Sequence, residues 1–207
     1  MRITFGWDKK NSPLPLKIAH TDPGAAAVLA DRLKACIQHA QSRDLVVVCI
    51  GTDRSTGDAL GPLVGTHLVR ACRDLHVYGT LSEPVHAMNL TETMNRIALE
   101  HRNPYIIAVD ACLGQIASVG TIQFFHGPLR PGAGVHKDLP AVGDVHITGV
   151  VNVGGFMEYF VLQNTRLSLV FAMAEVIAES LARAVVRPSA AESPAARRNG
   201  SLPFPRA

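Results

Sequence analysis

Apolar and polar positions fall into short blocks along this chain. Residues 45–50, LVVVCI, form a continuous apolar run rich in β-branched side chains and closed by Gly51. Such a run predicts a strand covered on both faces, as a parallel sheet requires. Residues 105–109, YIIAV, repeat the pattern, and Val77-Tyr78 begins a weaker strand. Residues 120–125 and 145–151 read as two more, separated by the loop GPLRPGAGVHKDLPAVGD. Helical spacing fills the gaps. Thr21-Asp22-Pro23 is a helix-start signal, and helix is predicted from there to about residue 41. A second helix is expected over residues 62–73. A third opens at Asn89-Leu90-Thr91-Glu92, a near capping box with Asn89 as N-cap and Glu92 at the third helical position. The last is a long helix from about residue 155 to 186. Its apolar part, residues 167–186, is interrupted by Ser168, Glu175, Glu179 and Arg183, which draw one narrow polar stripe. That marks a mostly buried helix with one wet edge, not a membrane span.

Strands alternating with helices imply a three-layer α/β/α sandwich with a mostly parallel sheet. The expected division is a polar leader over residues 1–22, one domain over 23–186, and a disordered tail over 187–207 rich in Pro, Ala, Ser and Arg. With 207 residues, 47% hydrophobic and 18% charged, the chain suits one globular core. The net charge of +3 is modest, and Lys and Arg are scattered apart from Arg197-Arg198, so direct nucleic-acid binding is not expected. The N-terminus has no apolar run of signal-peptide length, which points to a cytoplasmic protein with no membrane partner. Cys36, Cys49, Cys72 and Cys112 form no C-x-x-C pair and read as reduced, buried thiols.

In open α/β sheets, ligands bind beyond the carboxyl ends of the strands, so the loops there carry the chemistry. The first is GTDRSTGDALGP, residues 51–62. It lacks the lysine of a phosphate-binding loop, and Asp53 and Asp58 would repel a phosphate. Asp58 as helix cap would put Pro62 at the fourth helical position, where its missing N–H breaks the ladder. Gly61 as cap puts Pro62 at the favoured first position and leaves Asp58 free for function. Asp53 suits either a turn or a binding role. Asp110 follows a fully apolar strand, where a carboxylate must be paired, hydrogen-bonded or protonated. Either it bonds neighbouring loop amides, or it faces a second carboxylate. Two carboxylates across one crevice push their pKa values apart, leaving one as acid and the other as base. Among the nine histidines no metal-binding spacing occurs, so neither a metal nor another cofactor is expected. His86 and His136 lie on crevice-side loops, and His146, in a predicted strand, needs a hydrogen-bond partner.

The segments GTDRSTGDALGP, VYGTLSEPVHAMNL, IIAVDACLG, RPGAGVHKDLPAVGDVHITGVVNVGGFME and VLQNTRLSLV together resemble the YyaC-type sporulation proteins, a family regarded as spore proteases by similarity. The resemblance covers about residues 46–178. More distantly the chain is similar to the germination protease of bacterial spores and to hydrogenase maturation endopeptidases. The germination protease has a matching Asp-Ala-Leu-Gly-Pro, here Asp58 to Pro62, and a strand ending in Asp-Ala, here Asp110-Ala111. Its Pro-Gly-Ser-Gly-Val corresponds to residues 131–135, with Ala133 in place of Ser. The resemblance therefore implies a phosphorylase/hydrolase-like fold and peptide-bond hydrolysis, with Asp58 and Asp110 catalytic. Asp53, Glu83, His86 and His136 are the candidates for holding the substrate. That substrate would be a protein or peptide, small acid-soluble spore proteins among the candidates, and a homo-oligomer is implied. Two other readings stay open: a non-catalytic sporulation scaffold that kept the crevice, and a metal-dependent endopeptidase of the maturation type, where His136 is the nearest histidine by position.

Overall fold

The computed structural model describes residues 15–40, 43–131 and 139–185. In chain order the elements are β1 (Leu16–Ala19), α1 (Ala25–His39), β2 (Leu45–Cys49), α2 (Leu60–Ala71), β3 (His76–Tyr78) and α3 (Leu90–Glu100). These are followed by β4 (Tyr105–Gly114), β5 (Thr121–His126), β6 (Val145–Val153), α4 (Glu158–Gln163) and α5 (Leu167–Val185). The strands make one sheet in the order β1-β5-β6-β4-β2-β3. β3, β2, β4 and β6 are parallel, with Val47 opposite Ile107 and Cys49 opposite Val109. β5 runs antiparallel to β6, and β1 antiparallel to β5. The sheet is thus mixed, with its parallel part at the centre.

Strand side chains alternate between faces, and the two faces have separate cores. Val47, Ile107 and Ile147 meet Leu29 and Leu33 of α1, Leu60 and Val64 of α2, and Met173 and Ile177 of α5. On the other face Val46, Val48, Ile106 and Ala108 pack with Leu90 and Ile97 of α3, together with Leu129 and Val142. Each such side chain, removed from water, stabilises the fold by roughly 1.5–3 kcal/mol. The α/β/α layering expected from the apolar runs is therefore present. On α5, Ser168, Glu175, Glu179 and Arg183 are all exposed, as the stripe predicts. Among the described residues no helix is long and apolar enough to cross a membrane. The four cysteines are free, Cys36 and Cys49 buried and the other two partly so.

Five local expectations are corrected. The stretch expected to be leader contributes β1, which pairs Ile18 with Ile122 at the sheet's end. Asp110 does not follow a strand: β4 continues to Gly114 because β6 keeps pairing with it as far as Val153. Gly61 is not a cap. A 3-10 turn over Gly57–Ala59 leads into α2, whose N-cap is Ala59. Pro62 then lies third in the helix, still within the first turn, where no N–H is needed. Asn89 is the N-cap of α3 but caps nothing with its side chain. Its Oδ1 accepts from His86 N–H and its Nδ2 donates to the Pro84 carbonyl. Finally, the long last helix is two, α4 and α5, interrupted at residues 164–166.

The amino end of the sheet is fastened by one ion pair. Arg43 Nη1 and Nη2 donate to Asp144 Oδ1 and Oδ2 at 3.0 and 3.1 Å. Asp144 Oδ2 also accepts from Ile106 N–H at 2.8 Å, and Arg43 reaches the carbonyls of Asn103 and Pro104. These bonds join the start of β2, the start of β4 and the approach to β6. The site below is at the opposite, carboxyl end.

Candidate active site

The carboxyl end of β2 is tied to β4 by Ile50 N–H donating to the Val109 carbonyl at 2.7 Å, one residue before Asp110. The chain then turns sharply at Gly51, whose φ of +147° suits glycine. A Cβ there would fall 1.9 Å from the Asp58 carbonyl oxygen. Farther along, a Cβ on Gly61 would fall 2.1 Å from the Ile50 carbonyl oxygen. Two glycines therefore let the loop fold back onto the strand it leaves. The return is fixed by Thr52 N–H donating to the Asp58 carbonyl (3.2 Å) and Ala59 N–H to the Ser55 carbonyl (3.0 Å). Asp58 is thus held over the end of β2, beside the strand that carries Asp110.

The charge of Asp58 is felt at Asp110. Burial pushes the Asp110 pKa up to about 8. The Ala111 N–H, donating to Asp110 Oδ1 at 2.8 Å, opposes this, and the charge of Asp58 adds to it. Asp58 is also raised by burial, but there the Ser55 hydroxyl favours the charged form. At neutral pH Asp110 consequently keeps its proton. Asp110 accepts from the amide of its own neighbour, which belongs to β4 and not to a loop, and the charge of Asp58 is felt there as well.

Three neighbours of the pair were not singled out from the sequence. Thr148 of β6 is buried and stands directly opposite Asp110 in the ladder. Cys112 lies two residues along β4, on the same face as Asp110 by the period of two. Burial raises its thiol, the Thr148 hydroxyl opposes that, and Asp110 adds to it. Ser55 is 4% exposed; its buried Oγ makes no hydrogen bond of ordinary geometry, and its polarity is felt at Asp58 all the same. A signal for two of them existed: Thr148 is a polar residue inside an apolar run, and Cys112 keeps the alternation of Asp110. For Ser55 there was none.

The remaining candidates line two adjoining cavities. Asp53 is exposed and lines a shallow cavity of about 270 Å³ with Thr52, Arg54, Pro84 and His86. His86 and Pro84 also line a larger groove of about 720 Å³ between β3 and α3, where Glu83 is found. His86 accepts from Met88 N–H through Nδ1. These three residues share adjoining surface, and the cavity of Asp53 and His86 includes Thr52, whose N–H donates to the Asp58 carbonyl. His136 lies outside the described residues. His146 has the partner it was expected to need, the Gly127 carbonyl at 2.8 Å from Nδ1, and it stacks on Phe125. Among the described residues no group of three His, Cys, Asp or Glu side chains is placed to hold a metal ion.

Comparison with known proteins gives three findings. Residues 17–180 match the family DUF1256, described as a protein of unknown function. A Bacillus subtilis protein, described as the uncharacterized protein YyaC, is 59% identical over 165 residues, covering 79% of this chain and 80% of its own. Among solved structures, the NiFe hydrogenase maturation protease HycI of Thermococcus kodakarensis superposes with a TM-score of 0.50 at 19% identity. That match covers 76% of this chain and 97% of HycI. At that identity the likeness concerns the fold alone: the six-stranded mixed sheet with its helices is similar to the fold of that protein.

Proposed function

This chain belongs to the DUF1256 family, and from that premise and the carboxylate pair we propose that it hydrolyses a peptide bond in a protein substrate. The observation that carries the reading is that Asp110 is held protonated by burial while Asp58 has a hydroxyl neighbour that favours its charge. That is the division of labour a hydrolytic carboxylate pair needs. Asp58 accepts a proton from a water whose oxygen attacks the peptide carbonyl carbon. Asp110 donates its proton to the carbonyl oxygen, giving a neutral tetrahedral diol. Collapse of the diol breaks the C–N bond. The amine leaves with the proton that Asp58 took, and Asp110 regains its own from the diol. Thr148 and Cys112 stand beside Asp110.

The substrate is proposed from similarity. The resemblance of the chain's motifs to sporulation proteins makes a small acid-soluble spore protein the first to test. The full chain, Asp58→Asn and Asp110→Asn are incubated with such a protein, and cleavage is followed by mass spectrometry. Cleavage by the parent and its loss in both variants is the expected outcome. Full cleavage by Asp58→Asn sinks the reading. Stable binding by all three proteins, with no cleavage by any, would instead favour a scaffold.

A further inference from the structure

We propose that the exposed aromatic face at the start of α4 is a docking surface for an apolar segment of the protein substrate, held beside the carboxylate pair. This rests on the hydrolase reading for the fate of the bound segment, but not for its test. Phe156 is 88% exposed, Tyr159 66%, Phe160 54% and Met157 50%. Single exposed apolar side chains are ordinary, but four within five residues make a patch that calls for a partner. The rings of Tyr159 and Phe160 meet edge-on, their centroids 6.0 Å apart. The one charge in this run is turned aside: Glu158 is half-buried, and its Oε1 accepts from Gly155 N–H at 3.2 Å. Met157 has φ +56°, a strained value for a residue with a Cβ, and strain of this kind collects at functional sites.

The helix that carries the patch is built into the site. A Cβ on Gly57, next to Asp58, would fall 2.7 Å from Leu162 Cδ2 and 3.1 Å from the Leu162 carbonyl oxygen. Asn152 of β6 donates to the Val161 carbonyl at 3.3 Å and holds α4 from the other side. Successive helical residues are about 100° apart, so Phe160, two before Leu162, faces away from the Asp58 turn. A helix is about 10 Å across, so an extended chain lying on its outer side needs only about three or four more residues to reach that turn.

Other occupants match this face less well. The four side chains, each about 150–250 Å² when whole, expose on the order of 500 Å² together. A stable dimer needs about 800 Å² from each partner. A membrane surface takes up aromatic side chains best when Lys and Arg surround them. Residues 150–165 contain neither, and only Arg166 follows. The chain's own ends lie away from α4. Leu16 begins β1 at the amino end of the sheet, and α5 runs about 28 Å from its start beside Gly120. Leu129 and Leu139, to either side of residues 132–138, pack on the α3 face, whereas Leu162 packs on the opposite one. A short, uncharged, apolar stretch of another protein is what the size, the charge and the position of the patch suit.

The test pans random peptides displayed on phage against the full chain carrying Asp58→Asn, so that bound peptides stay uncut. The same panning is done with Phe156→Ser, Tyr159→Ser and Phe160→Ser added. Peptides rich in Leu, Ile, Phe and Met should be retained by the first protein. A synthetic copy of the commonest should bind the serine variant at least about tenfold more weakly, as the loss of a buried aromatic contact implies. Equal binding by both proteins overturns the proposal. So does the absence of apolar enrichment, the result expected if the chain's own tail covers the face. Should the triple substitution unfold the chain, Phe156→Ser decides alone, since Phe156 lies outside α4. A dimer in sedimentation that the serine variant lacks would assign the face to a second copy and overturn the proposal. Binding to phosphatidylglycerol vesicles that the serine variant loses would assign it to a membrane, with the same consequence. A peptide that the parent chain, with Asp58 intact, retains but does not cut counts against the hydrolase reading and leaves the docking surface standing.

Discussion

Asp110 stands directly across the β4–β6 ladder from Thr148, and in that position its carboxyl binds a proton up to a pH of about 8. In an unfolded chain the same group would titrate near 4. Between those values the folded state holds a proton that the unfolded state has lost. The stabilisation is complete below about pH 4 and is lost as the pH rises through about 8. Asn at this position cannot ionise. Asp110→Asn should therefore be more stable than the parent at pH 8–9, on the order of a few kcal/mol, with the two converging near pH 4. Urea unfolding across that range measures it, and a parent whose stability is flat with pH would contradict it.

Activity should have the complementary profile. The acid limb belongs to Asp58 gaining a proton, and the basic limb to Asp110 losing one near pH 8. Asp58→Asn or Asp110→Asn should lower the cleavage rate by about 10²–10⁴. Asp58→Asn should do so without lowering thermal stability. A rate that keeps rising above pH 9 would mean that Asp110 is not the acid.

Removing the charge of Asp58 should also be felt at its partner. That charge raises Asp110, so the Asp110 midpoint should fall below about 8 in Asp58→Asn. Carboxyl NMR reads this directly. An unmoved midpoint would mean that the two side chains do not sense each other.

Gly61→Ala places a methyl group where the Ile50 carbonyl oxygen lies, 2.1 Å from the ideal Cβ. Both partners are backbone, so neither can rotate away. A loss of roughly 1–3 kcal/mol is expected, as for other overpacked positions. Because the displaced loop carries Asp58, activity should fall more steeply than stability. Comparing Tm with cleavage rate separates the two effects.

Arg43→Ala probes the other end of the sheet. It leaves Asp144, whose side chain is 15% exposed, without its forked partner. A loss of roughly 1–3 kcal/mol is expected, since the pair is half-buried and Asp144 keeps the Ile106 N–H. Since the pair is far from Asp58 and Asp110, the pH profile of the remaining folded enzyme should be unchanged.

Much of the fold was legible because burial on both faces leaves a simple mark. LVVVCI and YIIAV can only be central strands, and they became β2 and β4. The misreadings arose where partners distant in sequence decide. β1 is only four residues long, too short to mark itself, and forms as a strand by pairing with β5. β4 outlasts its apolar run because β6 pairs beyond it. Asn89 has the composition of a cap but spends its side chain on the loop of Pro84 and His86.

The same division applies to the site. By itself the sequence determined that Asp58 and Asp110 each come after an apolar run, LVVVCI or YIIAV, that forms the buried part of a strand. It also excluded a phosphate loop, because the lysine is absent. Only the tertiary structure decided that Asp58 folds back over β2, that its charge reaches Asp110, and that Thr148, Cys112 and Ser55 surround the pair. Proton affinity depends on how much water and which charges lie within a few ångströms, and those neighbours come from β4, β6 and the loop after β2 together. No local pattern of residues encodes that distance.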